Sequence, residues 1–246
     1  MKKFFRLILI ILIISIPKLY SQNYNYTYIL VDTNYDKSYD TSMKNYIDSL
    51  KNLLDFEMNK VIGYTDTPLY VKTPQSELSN LLTDIVFKRG NEFSLKELGN
   101  PVDLSLLNFG GIREHFIDKG EITVGDIYTI SPFDNTLVII ELTGIELRKV
   151  FSKFTAEDNQ PYANAKVLYQ GNKIASVTVN GEPINYERTY YLATLDFIAN
   201  GGDNILTGIV FKKVTPTHIL LREAVIGYIT SKKNIKPRLD DRVTIQ

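Results

Sequence analysis

Twice in this chain an aliphatic run ends within a few residues on paired glycines, in Leu106-Leu-Asn-Phe-Gly-Gly-Ile-Arg113 and in Leu195-Asp-Phe-Ile-Ala-Asn-Gly-Gly-Asp203. A strand that stops on such a turn exposes bare backbone at the edge of a sheet, where pockets open. The first segment ends on a guanidinium. Its planar donors, beside uncovered N–H groups, suit a phosphate or a carboxylate, and the same residues equally fit a strand-ending turn with a surface arginine. The second ends on a carboxylate that can accept hydrogen bonds from vicinal ribose hydroxyls, with Phe197 as an apolar plate. A hairpin that uses Gly-Gly-Asp only for its backbone angles is the alternative there. Between the two, Ser131-Pro-Phe-Asp-Asn135 carries Phe133 in a non-helical stretch stiffened by Pro132. That ring can stack on a base or plug the core, and burial preferences alone favour the core.

The remaining pattern decides what kind of domain holds these turns. Met43, Tyr46, Ile47, Leu50, Leu53 and Leu54 recur at three and four, which predicts a helix over Thr41–Met58. Leu78, Leu81, Leu82, Ile85 and Val86 predict a second over Ser76–Lys88, with Gly90 just past its end. A third is expected from Thr143, spaced from Glu146 as in a capping box, and a fourth from near Thr217, after Pro216. Strands are expected at Val102–Leu107, Thr136–Leu142, Lys173–Val179, Tyr190–Leu195 and Arg242–Ile245, with Asn180-Gly181 as a hairpin turn. Helices and strands mix without strict alternation, so the fold class is α+β, a mixed sheet flanked by helices. Upstream, a Tyr- and Asn-rich stretch offers a single strand candidate, Tyr26–Val31.

Lys plus Arg and Asp plus Glu stand at 28 each, so no whole-chain field draws the protein to nucleic acid or to an anionic membrane. The absence of cysteine excludes disulfides, thiolate metal sites and a lipid-bearing cysteine. Lys2, Lys3 and Arg6 before the apolar run Leu7–Ile16 and Pro17 have the layout of a secretory signal, with cleavage expected after Ser21. The apolar run is well short of the roughly 20 residues a spanning helix needs. The expected organisation is a signal peptide over 1–21, an extension over 22–40 and one domain over 41–246, in a protein that is periplasmic, cell-surface or secreted.

In their order, Asn-x-Gly-Gly-Ile-Arg, Pro-Phe-x-Asn and Phe-x-x-x-Gly-Gly-Asp resemble the C-terminal, substrate-binding domain of the 5'-nucleotidase/UDP-sugar hydrolase family. Val61-Ile-Gly63, Leu78–Asp84, Gly120–Asp126 and Leu142–Leu147 are also similar to family stretches. The resemblance implies that Phe133 and Phe197 sandwich a base and that Asn135 contacts its edge. It also implies that Asp203, preceded by Gly201 and Gly202, binds the ribose hydroxyls, and that Arg113 and Asn108 face the phosphate or ribose side. Family members carry a two-metal phosphoesterase domain ahead of this one, and this chain has no such segment: its histidines, His115 and His218, are isolated and read as non-ligands. No cofactor is therefore expected in this chain, and divalent metals only in a partner phosphoesterase chain. Three departures fall at the phosphate end: Thr73–Glu77 lacks the family's basic residue, Phe109 replaces a glycine, and Asn204 follows Asp203 where an aromatic is usual. The expected function is the nucleotide- or nucleoside-binding part of a 5'-nucleotidase that works with a separate phosphoesterase chain. The alternatives are an exported binding protein without catalysis, and a degenerate domain kept for packing.

Overall fold

The computed structural model describes residues 24–34, 40–114 and 116–246, so the expected signal peptide and His115 lie outside the described residues. The chain divides into two units, Met1–Ser49 and Leu50–Gln246. In the first, Tyr26–Val31 forms no strand. A β-prone run needs a neighbour to receive its backbone hydrogen bonds, and without one its N–H and C=O groups face water. Helix α1 (Thr41–Met58) has the bounds its periodicity predicts, yet buries no residue.

The second unit is the α+β domain. It runs β1 (Val61–Thr65), β2 (Leu69–Tyr70), α2 (Glu77–Glu97), β3 (Leu104–Leu106), β4 (Phe116–Ile117), β5 (Gly120–Thr123) and α3 (Val124–Ile130). Next come β6 (Thr136–Thr143), α4 (Gly144–Ser152), β7 (Tyr162–Ala163), β8 (Ala165–Gln170), β9 (Lys173–Val179) and β10 (Glu182–Pro183). The chain closes with β11 (Thr189–Leu195), α5 (Asp196–Ala199), β12 (Lys213–Leu220), α6 (Leu221–Lys232), β13 (Asn234–Ile235) and β14 (Val243–Ile245). The central mixed sheet has the order β12-β6-β11-β3-β7, with β11 and β3 parallel and the other neighbours antiparallel. There are also smaller sheets, β10-β9-β8-β14, β13-β1-β5 and β2-β4.

Helix α2 lies against the central sheet and buries Leu78, Leu82, Ile85 and Val86. It begins where predicted, on a Ser76 cap closed by Ser79, but continues to Glu97, so Gly90 is interior and does not end it. A Cβ at Gly90 would stand 2.6 Å from the Ala193 Cβ and 3.3 Å from Ile139 Cδ1. Glycine there permits close helix–sheet approach, which offsets a propensity cost of about 1 kcal/mol. The helix expected near Thr217 instead starts at Leu221, because residues up to Leu220 belong to edge strand β12, where Pro216 needs no N–H for a neighbour. Asn180 and Gly181, at φ 55° and 83°, make the two-residue turn, but its return arm is β10. Tyr190–Leu195 lies in the central sheet and pairs with β6. The Thr143 hydroxyl caps α4 at the Glu146 N–H, while the Glu146 carboxylate turns to Lys149 and the Val210 N–H, leaving the expected box half closed. Local pattern gave no sign of α3, whose Thr123–Asp126 capping box opens a helix too short to show a period.

One consequence of the register places the three notable segments together. Leu192 pairs with Leu104 and Ala193 with Ser105 in parallel, so β3 and β11 leave the sheet at the same edge. Antiparallel β6 starts at that edge, with Leu137 opposite Leu195.

Candidate functional site

Asn108, Arg113, Phe133, Asn135, Phe197 and Asp203 line one cavity of about 190 Å³, together with Gly110 and Gly111. The sequence singled out six of these, and its remaining two candidates, Gly201 and Gly202, lie outside the lining.

After β3 the chain makes a single 3-10 turn over Phe109–Gly111, with the Ile112 N–H donating to the Phe109 carbonyl at 3.0 Å. Gln160 Oε1 accepts from the Phe109 N–H at 3.1 Å, a support with no local sequence signal. Asn108 is 3 % exposed and donates from Nδ2 to Asp203 Oδ2 at 2.6 Å, so the two glycine-rich segments touch through their polar side chains. A Cβ on Gly111 would fall 2.6 Å from Asn108 Oδ1, and one on Gly110 3.1 Å from Asp203 Oδ2. The first glycine pair therefore clears room for an amide–carboxylate pair, a use the bare-backbone reading did not anticipate.

The second pair does different work. Gly201, at φ 95°, turns the chain after α5, and Asp203 follows in the left-handed region at φ 51°, ψ 17°. Short polar side chains tolerate that region better than bulkier ones. Gly202 lies flat under the Phe197 ring: a Cβ there would be 2.3 to 2.6 Å from three ring carbons. Phe197 stays 43 % exposed and Phe133 40 %, so neither is the core plug that burial preferences favoured for Phe133. Both rings line an open pocket, and one face of Phe133 carries the Arg113 guanidinium.

Arg113 is exposed; its N–H donates to the Ile130 carbonyl at 2.9 Å, and its guanidinium lies 4.9 Å from the centroid of Phe133. The cavity thus has one cationic group, one carboxylate, two amides and two aromatic faces, contributed by three separated segments. That inventory suits a ligand with a flat ring, a hydroxylated middle and an anionic end. No three His, Cys, Asp or Glu residues are placed to hold a metal ion among the described residues. His218 is exposed in β12, not at a helix start, at φ 60° where the register shifts between Pro216 and Leu220.

A family model described as 5'-nucleotidase, C-terminal domain, matches residues 61–210. The chain is 29% identical over 181 residues to the trifunctional nucleotide phosphoesterase protein YfkN of Bacillus subtilis, a match that covers 65% of this chain and 12% of that protein. It is 31% identical over 138 residues to protein UshA of Yersinia enterocolitica, covering 54% of this chain and 23% of UshA. The crystal structure of the 5'-nucleotidase precursor of Thermus thermophilus aligns with a TM-score of 0.69 at 26% identity, covering 82% of this chain and 42% of that one. The chain spans less than half the length of each of these relatives.

Proposed function

The chain belongs to the 5'-nucleotidase C-terminal domain family, and from that premise we propose that its cavity binds the nucleoside part of a nucleotide for hydrolysis by a separate metallophosphoesterase chain. Phe133 and Phe197 stack on the base, Asn135 meets its edge, and Asp203 accepts from the ribose hydroxyls. Asn108 holds Asp203 in place at 2.6 Å, and Arg113 faces the anionic end. The observation that carries this reading is the convergence of both rings, the carboxylate and the guanidinium on one cavity. Stacking on aromatic side chains contributes roughly 1–3 kcal/mol per base and tolerates any base.

Two features support a second chain. At about 190 Å³ the cavity is smaller than the roughly 300–1,000 Å³ of typical ligand pockets, so it suits a base and sugar, with the phosphate projecting outward. Helix α1 leaves Met43, Tyr46, Ile47, Leu50, Leu53 and Leu54 exposed along one stripe, directly before the matched domain. Its polar side pairs Lys44 with Asp48 and Lys51 with Asp55, so it lacks the basic face of a membrane-surface helix and fits a protein partner better. The basic residues and apolar run at the N-terminus support export. No helix among the described residues is long and apolar enough to cross a membrane.

Adenosine is expected to raise the melting temperature of the mature chain, and Phe197→Ala to abolish that rise. The chain alone, given AMP with Mn²⁺ or Zn²⁺, is expected to release no phosphate above background. Turnover at an ordinary enzyme rate would refute the two-chain reading while leaving the binding reading intact.

A further inference from the structure

Resting on that binding reading, we propose that Asp196 and Arg222 are positioning residues that set the separation of the two aromatic plates. Neither lines the cavity. Each instead fastens a segment that carries a plate.

The pairing of β6 with β11 ends at Leu137 opposite Leu195, one residue short of both plate-bearing segments. Asp196 continues the connection past that point. Its Oδ1 accepts from the Thr136 N–H at 3.1 Å and from the Phe197 N–H at 2.8 Å, and its Oδ2 accepts from the Thr136 hydroxyl at 2.7 Å. One carboxylate thereby joins the backbone of Phe197 to the residue that follows Asn135. Among the described residues no other side chain is bonded to both segments.

Arg222 fastens the opposite plate. Its Nη1 donates to the carbonyls of Ser131 and Phe133, both at 3.1 Å, its Nη2 pairs with Asp134, and its guanidinium lies 4.3 Å from the Tyr128 centroid. The residue is 8 % exposed and sits in the first turn of α6. A cation at that end opposes the helix dipole, and a buried charge costs free energy unless well paired. Its placement therefore disfavours the helix and serves the loop. The neighbouring Leu221 N–H donates to the Asn135 carbonyl at 3.0 Å, so the loop is held at its middle and at its end.

A positioning role predicts that Asp196 acts through Phe197, and a double-mutant cycle reads this directly. By titration calorimetry with adenosine on the full mature chain, Asp196→Ala is expected to weaken binding about tenfold, the scale of a displaced stacking ring, and less than about twofold when Phe197 is already alanine. Asp196→Asn keeps an acceptor for both N–H groups and is expected to recover most of the affinity. Arg222→Lys keeps the charge but loses the fork, and is expected to weaken adenosine binding several-fold. Thr136→Val removes a single bond and gives a milder loss that remains readable if Asp196→Ala does not fold. Equal losses with and without the Phe197 ring would reduce Asp196 to general structural support and overturn the proposal, as would unchanged affinity in both Asp196→Ala and Thr136→Val. If the unsubstituted chain binds no adenosine, the binding reading itself fails and this inference with it.

Discussion

Helices α1 and α2 are both legible from the same three-and-four recurrence of apolar residues, and they end in opposite circumstances. α2 buries Leu78, Leu81, Leu82, Ile85 and Val86, and also the polar Ser79, Asn80 and Thr83. α1 buries nothing, although its apolar and polar residues are the more cleanly segregated. Periodicity reports that a helix has a side to cover; it does not report what covers it. For α2 the cover is the central sheet, whose demands reach into the helix and dictate even its polar residues. The Thr83 hydroxyl donates back to the Ser79 carbonyl, and its own carbonyl accepts from the Ser105 hydroxyl of β3 at 2.7 Å. For α1 the proposed cover is another protein.

The contrast can be broken most forcefully at α2. Leu82 is 1 % exposed, so Leu82→Ala should leave a cavity between helix and sheet and cost about 3–5 kcal/mol in denaturant unfolding. A cost under about 1 kcal/mol would mean that the helix does not lean on the sheet as described. Gly90→Val tests the opposite fault. Its new Cβ would start 2.6 Å from Ala193 Cβ, and both partners belong to regular backbone, so overpacking should cost about 1–3 kcal/mol. Were Gly90 a left-handed helix stop, as the sequence pattern suggested, asparagine would be tolerated there, whereas in the packed helix interior it should be destabilising as valine is.

The same division between local and long-range information explains what the sequence revealed of the site. Asn108, Arg113, Phe133, Asn135, Phe197 and Asp203 were legible because their motifs are contiguous and chemically unusual. The devices holding them were not. Asp196 reaches Thr136 across 60 positions of chain, and Arg222 reaches Phe133 across 89. No window of local pattern spans such distances, and an arginine in the first turn of a helix reads as a surface residue until the loop it grips is in view. Gly110 and Gly111 were read for the backbone they expose, whereas the amide–carboxylate pair they accommodate depends on Asp203, which arrives 95 positions later in the turn after α5. The fourth helix was misplaced for a related reason: Pro216 suggests a helix start locally, and only the pairing of β12 with β6 shows it to be on a sheet edge.

The smallest expected effect on stability tests α1 itself. Leu53 is 71 % exposed, so Leu53→Asp removes no buried contact and should change unfolding free energy by no more than about 0.5 kcal/mol, while leaving adenosine binding at the cavity unaltered. The same substitution places a charge in the middle of the apolar stripe, where an interface with a phosphoesterase chain would have to bury it. Burial of an unpaired carboxylate costs several kcal/mol, so a co-purifying complex should be lost while the isolated domain stays folded. The two measurements separate the helices on one scale, because a substitution severe for α2 would then be silent for α1 until a partner is present. If Leu53→Asp instead lowers the melting temperature of the isolated chain as Leu82→Ala does, α1 is covered by this chain in solution and the contrast between the helices collapses.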